Sequence, residues 1–309
     1  MPSPTARQSH IDRALTNVSI AYKNANYVGE LIFPRVPVTK QSDKFFTFAK
    51  GDWFRSDAAA RAPGTRARRG GYTLSSDSYL CLEKAESIEV PDELVDNSDD
   101  PLSPLVRASE YVSDQLLLAK EIDTLDTVFG TTWSASATPG TLWSSDTSDP
   151  LSDMETGIIT VACAIGRPPN TGVIGRGLWR YLKNHPDIVD RVKYGSGTSP
   201  EDPARVSLQG VAALVGLERI LLTDSVKNTA LEGAADTIVF VAGNHMALLY
   251  VSPVASLMVP SAGYVFTYKA NEVNRYRENQ EHQDIIEARA AWDVKLTATD
   301  AGYLIKAAA

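Results

Sequence analysis

Four histidines, two cysteines and a scatter of glycines are the first places to look for chemistry in this chain. His10, His185, His245 and His282 stand apart from other ligand types, with no HxH, HExxH or His–carboxylate cluster to hold a metal. His185 precedes Pro186 between two helical stretches and reads as a capping or surface residue rather than a general base. Gly172, Gly175 and Gly177 spell GxxGxG, the wrong order for a dinucleotide fingerprint, and read as a turn feeding a helix; no GxxxxGK[ST] occurs. Tyr194 to Thr198 lacks the preceding strand and following helix that a nucleophile elbow needs, so it reads as a loop. Cys81 and Cys163 are far apart with no CxxC neighbour, as expected of reduced cysteines in an intracellular product. No catalytic residue, metal ligand or cofactor is assigned, and the expectation is a protein that is not an enzyme.

Charge is the more informative pattern. Phe54 to Gly71 carries Arg55, Arg61, Arg66, Arg68 and Arg69 against the single acid Asp57, with Pro63, Gly64, Gly70 and Gly71 among them. Shortly afterwards Asp92, Glu93, Asp96, Asp99 and Asp100 stand without a Lys or Arg between them. The arginines could neutralise phosphates through counterion release or dock on an acidic protein surface; the bland alternative is a solvated charged loop. The acidic block is a visible partner for docking. It lies at the other end of one hairpin arm, so a tip that extends away reaches it more easily on a neighbouring copy.

These blocks must be positioned by a folded chain. With 309 residues, 30 Lys+Arg against 38 Asp+Glu, 43% hydrophobic and two cysteines, the chain is neither disordered nor collagenous nor a disulfide scaffold. About two domains, or one with a large excursion, fit this length. The formal charge of -8 argues against a surface wholly given to nucleic acid and leaves room for a local basic patch. Met1 to Leu15 has no apolar core of signal-peptide type, which points to production and use in the cytoplasm. Thr237 to Tyr268 has no Asp, Glu, Lys or Arg, yet Gly243, Asn244, His245, Pro253 and Pro260 interrupt it, so buried strands are expected there and no membrane span.

The first forty residues lack self-contained periodicity and read as an arm that must lie along something else. Lys44–Phe48 and Tyr72–Leu82 read as a hairpin whose long tip is the arginine-rich stretch. Pro101 and Pro104 open one long helix up to Gly130, with Leu105, Val112, Leu116, Ala119 and Ile122 on its apolar face. Thr127 to Ser145 reads as a loop anchored by Trp133 and Trp143. From Asp153 short helices alternate with strands: helices at Met154–Ile165 and Gly177–Asn184, strands at Thr171–Ile174, Leu217–Leu222, Thr237–Val241 and Ala247–Val251. The tail alternates apolar and charged residues in three runs, Val273–Arg277, Ile285–Arg289 and Trp292–Leu296, expected as half-exposed antiparallel strands.

Several of these segments resemble a known family. Tyr27–Val38, Gly166–Thr171 leading into Leu182–Ile188, Pro260–Tyr264, Tyr276–Glu278 and Asp300–Ile305 look like segments of major capsid proteins of tailed bacteriophages, in the same order and over nearly the whole chain. The resemblance implies an α+β chain with the Hong Kong 97-like coat fold. Residues 1–38 would be the N-terminal arm, 39–90 the E-loop hairpin, and 91–152 the first part of a P-domain with a spine helix at 101–130. Residues 153–270 would form an A-domain with a central β-sheet, and 271–309 would complete the P-domain. The implied function is self-assembly as hexamers and pentamers into the icosahedral shell around a double-stranded DNA genome. The implied partners are the chain itself and, through weak non-specific contact, the packaged DNA, with no membrane; scaffolding, portal and decoration proteins are left open as further partners. The implied location is the virion capsid, assembled in the host cytoplasm. Certain relatives join an E-loop lysine to an asparagine of another copy; Lys44, Lys50, Asn271, Asn274 and Asn279 all remain open for that role. A bacterial encapsulin shell is the alternative of the same shape, and a small α/β enzyme the alternative of another class.

Overall fold

The computed structural model describes residues 27–48, 50–56, 58, 60–67, 69–98, 103–130, 132–195, 206–254, 259–306 and 308–309. In chain order, a single turn α1 (Gly29–Ile32) leads to β1 (Arg35–Pro37), the ribbon strand β2 (Ser42–Phe48), a turn of helix α2 (Lys50–Trp53), the second ribbon strand β3 (Leu74–Leu80) and β4 (Leu82–Pro91). Then come α3 (Asp92–Asp96), the long α4 (Pro104–Val128), β5 (Ala135–Ala137), α5 (Pro150–Ile165), β6 (Thr171–Gly175), α6 (Arg176–Leu182), α7 (Pro186–Gly195) and α8 (Leu208–Val215). The chain closes with β7 (Arg219–Thr223), β8 (Val226–Asn228), β9 (Ile238–Phe240), β10 (Met246–Leu249), β11 (Gly263–Glu278), β12 (Gln283–Leu296) and β13 (Gly302–Ile305).

Two sheets organise these elements. The first has the order β1-β11-β12-β4 and is built on the antiparallel β11–β12 pair. Along β12, Ile286, Ala288, Ala290 and Trp292 alternate onto the face that α4 covers, the period-two pattern of a strand with one face packed. Proline at the first turn starts α4, whose 25 residues span about 37 Å at 1.5 Å per residue. Asp123 clamps it to the sheet, because one carboxylate oxygen accepts from Lys84 Nζ at 2.6 Å and from Trp292 Nε1 at 2.8 Å.

The second sheet, β5-β13-β10-β6-β7, carries four fully buried residues on β10 and four on β13. Helix α5 lies on it, capped at its start by Asp149, whose side chain accepts from Ser152 N at 3.0 Å, and ended by Gly166 at φ 72°. Gly157 lets it approach: a Cβ there would stand 2.7 Å from the Tyr303 ring and 2.8 Å from Leu248 Cδ1. Trp133 and Trp143 anchor the loop between α4 and α5 as expected; Trp133 Nε1 donates to Val128 O at 2.7 Å and Trp143 Nε1 to Asp153 Oδ2 at 2.8 Å.

Four expectations need correction. The long helix buries Glu121, Thr124 and Leu125 where Ala119 and Ile122 were expected, because the α1 segment covers it from another side. The tail forms two long strands instead of three short ones, since Ala290 and Ala291 continue the β12 ladder against Lys84 and Glu83. Strand β9 is exposed along its length although it was expected to be buried; among the described residues it pairs only with β8, in a two-stranded ribbon apart from the two main sheets. His185 is buried instead of lying on the surface, with Nε2 3.0 Å from Ser148 Oγ, but it does sit at the capping position before α7, where its backbone oxygen accepts from Ile188 N and Val189 N. Among the described residues no helix is long and apolar enough to cross a membrane.

Candidate subunit-contact surfaces

The β2–β3 ribbon is rooted at one end and open at the other. At its root Phe45 and Tyr79 stack on Phe266 of β11, with ring centroids 5.8 and 4.6 Å apart, and Cys81 is buried beside them. Burial pushes the Cys81 thiol above its ordinary value, so it is an inert packing group. Beyond the root, Phe46, Trp53, Phe54 and Tyr72 are all more than half exposed. A two-stranded ribbon is marginal by itself in water. This one returns to its own body through Lys50, whose Nζ lies 2.6 Å from Asp300 Oδ2. Burial would raise the Asp300 carboxyl, but hydrogen bonds from Lys50 and Ser134 and the Lys50 charge bring it below its usual value. Between the hairpin and the body lies a cleft of about 840 Å³, with Phe46, Trp53 and Phe54 on one wall and Ile165, Tyr264 and Phe266 on the other.

The arginines of the tip lie along the irregular stretch between α2 and β3. Arg55, Arg61, Arg66 and Arg69 are exposed, while Arg68 lies outside the described residues, as do Asp99 and Asp100. Of the acidic block, Asp92, Glu93 and Asp96 sit on α3. Among the described residues no ion pair joins the two blocks. Asp92 already has a partner within the chain, since both of its oxygens accept from the Arg277 guanidinium at 2.5 Å. That hydrogen bond, more than the charge itself, holds the Asp92 carboxyl below its ordinary value and the Arg277 guanidinium above its own. Arg277 also faces Asp284, at 3.8 Å, and Arg275 pairs with Asp284 at 2.6 Å. Glu93 and Asp96 are exposed.

Sequence reasoning missed the joint that holds the α1 segment. Glu121 of α4 is 2% exposed, and its carboxylate accepts from Val28 N at 3.1 Å, Gly29 N at 2.6 Å and Ser225 Oγ at 3.1 Å. It caps the start of α1, which has no side-chain cap of its own, and ties that segment to α4 and to the loop after β7. Lys120 reinforces the joint: its hydrogen bond at 2.5 Å lowers the Glu30 carboxyl below its usual value. The available signal was a carboxylate one residue from the expected apolar face. The exposed apolar β8–β9 ribbon was missed as well, because an uncharged run reads alike whether it meets a core or another chain.

Among the described residues no group of three or more His, Cys, Asp and Glu side chains converges as a metal site. No family model matches the chain. A major capsid protein of Pseudomonas phage JBD67 is 27% identical over 78% of this chain and 77% of its own. A major capsid protein of Burkholderia phage BcepMu is 27% identical over 96% of this chain and 95% of its own. A phage-related protein of Bordetella bronchiseptica RB50 superposes with a TM-score of 0.67 at 25% identity, over 93% of each chain. The mature capsid of bacteriophage PhiM1 gives 0.62 at 14% identity over 98% of each. A virus-like particle from Pyrococcus furiosus gives 0.55 at 11%, over 89% and 91%. Likeness in sequence over most of the chain and in fold over nearly all of it thus converges on one group: the chain is similar to phage major capsid proteins and has the Hong Kong 97-like coat fold.

Proposed function

We propose that this chain closes, as hexamers and pentamers, into an icosahedral shell around double-stranded DNA, with its extensions overlapping neighbouring subunits. The observation that carries this reading is the β2–β3 ribbon, which leaves Phe46, Trp53, Phe54 and Tyr72 in water. Such a patch marks a surface that another chain covers. A specific interface buries roughly 1,200–2,000 Å² in total, and a subunit with protruding segments can divide more than that among several neighbours.

In this reading residues 1–38 are the arm, 39–90 the E-loop, 91–152 and 271–309 the P-domain, and 153–270 the A-domain. The arginine tip meets the acidic face of α3 on an adjacent subunit, with Glu93 and Asp96 presented to it and Asp92 held by Arg277. The net charge of -8 keeps contact with packaged DNA weak and non-specific. Assembly takes place in the host cytoplasm, with scaffolding, portal and decoration proteins as further partners. The chain acts mechanically and not as an enzyme.

Negative-stain electron microscopy of the full chain, expressed alone and beside co-expressed scaffold candidates, tests this. Closed shells or five- and six-membered rings are expected; a small monodisperse particle under every condition would overturn it. An encapsulin-like shell is the second reading, favoured only by the shared fold of the Pyrococcus particle. Protein cargo in place of DNA would establish it.

A further inference from the structure

The β8–β9 ribbon ends in a turn that is ordered by its own hydrogen bonds yet covers nothing. Asn228 Oδ1 accepts from Ala230 N and Thr237 N at 3.0 Å each, Asn228 Nδ2 donates to Asp236 Oδ1 at 2.9 Å, and Thr229 N donates to Thr237 O at 3.0 Å. Gly233 supplies the φ of 82° that the turn needs. At the apex Leu231 is 84% exposed, and every residue from 231 to 240 is exposed. Fixing a leucine in water in a preformed turn stabilises nothing within the subunit. It does lower the ordering cost of binding. From Thr229 to Phe240 the ribbon carries Glu232 and Asp236 and no Lys or Arg.

The complementary surface lies on the same subunit. A groove of about 400 Å³ is walled by Trp179 and Phe240 and rimmed by Arg180, Lys183 and Arg176, the last already paired with Asp224. Phe240 is at the base of the ribbon, paired with Val226, whereas the Leu231–Asp236 turn is at the far end. At about 3.3 Å per residue the turn stands roughly 10 Å or more along the ribbon from Phe240, which itself lines the groove. Knob and hole of opposite charge at separate places on one chain define a heterologous contact, the kind that closes into rings.

We propose that the Leu231–Asp236 turn of one copy seats in the Arg176, Arg180 and Lys183 groove of the next copy in the same ring. Leu231 fills the apolar floor, and Glu232 meets the basic rim. This rests on the capsid reading and adds to it the contact that joins ring neighbours.

The test compares full-length wild type with Leu231→Asp, with Arg180→Glu/Lys183→Glu, and with the latter combined with Glu232→Lys. Sedimentation velocity gives the concentration at which each assembles, and negative stain identifies the particles. All four side chains are exposed, so the free subunits should melt together with wild type. Leu231→Asp and Arg180→Glu/Lys183→Glu are each expected to raise the assembly concentration about tenfold or more, and adding Glu232→Lys to recover part of the groove loss. Assembly of both first variants at the wild-type concentration would overturn the contact, as would a combination no better than the groove variant. Normal empty shells that fail only to package DNA would assign the groove to nucleic acid and overturn it too. Wild-type assembly decides the capsid reading separately.

Discussion

Replacing Glu121 by leucine removes the shared acceptor of two backbone N–H groups and one hydroxyl while keeping most of the side-chain volume. Val28 N and Gly29 N are held in place by α1 and by the fully buried Ile32 and Phe33 that follow. They cannot turn to another partner. A buried donor stripped of its acceptor costs about 1–3 kcal/mol, so the two amides together cost about 2–6 kcal/mol; the Ser225 hydroxyl can rotate and adds less. At about 2–4 °C per kcal/mol for a domain of this size class, a melting temperature lower by roughly 5 °C or more is expected. Glu121→Gln keeps one carbonyl oxygen and turns its amide toward a remaining donor, so it should fall between wild type and Glu121→Leu. Hydrogen exchange gives the local readout: the amides of Val28 and Gly29 should lose protection in both variants. A Glu121→Leu protein melting within about 1 °C of wild type, with those amides still protected, would refute the claim that this carboxylate fastens the α1 segment to α4.

Gly157→Ala should lower the stability of the β5–β7 sheet region by about 1–3 kcal/mol, read as a shifted denaturant midpoint, because the added methyl meets Tyr303 and Leu248 at under 3 Å. Asp92 has a depressed folded pKa, so its contribution is present above the ordinary carboxylate value of about 3.9 and lost as pH falls through the folded value. An NMR titration of Asp92 should therefore lie below that value and move up toward it in Arg277→Ala; an unchanged titration would refute the pairing. Reversing Arg66 and Arg69 to glutamate should weaken assembly without altering the melting of the free subunit, and Asp96→Lys should restore part of it. Equal assembly by all three proteins would end the idea that the arginine tip meets α3 of a neighbour.

How much of this was legible depended on how far away each residue's partner lies in the chain. The start of α4 at Pro104 and its Val112–Leu116 face could be read because helix periodicity is local. The inward turn of Glu121 could not, since the groups that bury it are Val28, Gly29 and Ser225, about a hundred positions away on either side. The acidic block was visible as charge. Its first member proved to be held by Arg277, 185 residues later, which a charge count cannot reveal. In the tail the alternation was right but its division was not: Ala290 and Ala291 looked like a break because alanine favours neither pattern strongly, and only the facing Lys84 and Glu83 of β4 make them strand. The apolar run at Thr237–Val241 was read as core because burial is the usual reason for such a run. In β9 it faces water on both sides, and the signal for that is three-dimensional.

The residues that hold the subunit together and those offered for assembly are separate sets, and this has a measurable consequence. Glu121, Asp123 and Gly157 act within one chain, with buried partners a few ångströms away. Phe54, Arg66, Leu231 and Phe240 stand at least 45% exposed or on an open tip, where a substitution changes subunit stability by no more than about 0.5 kcal/mol. In the proposed shell each surface contact recurs with every neighbour that closes around a ring, so a loss too small to see in a melting curve would accumulate over several interfaces. Individual contacts that are weak also let misplaced subunits leave before a shell closes. Plotting the melting shift of each variant against its shift in assembly concentration should therefore give two arms, one along each axis. Points scattered along a single diagonal would mean that folding and assembly draw on the same contacts, and the separation argued from these side chains would be wrong.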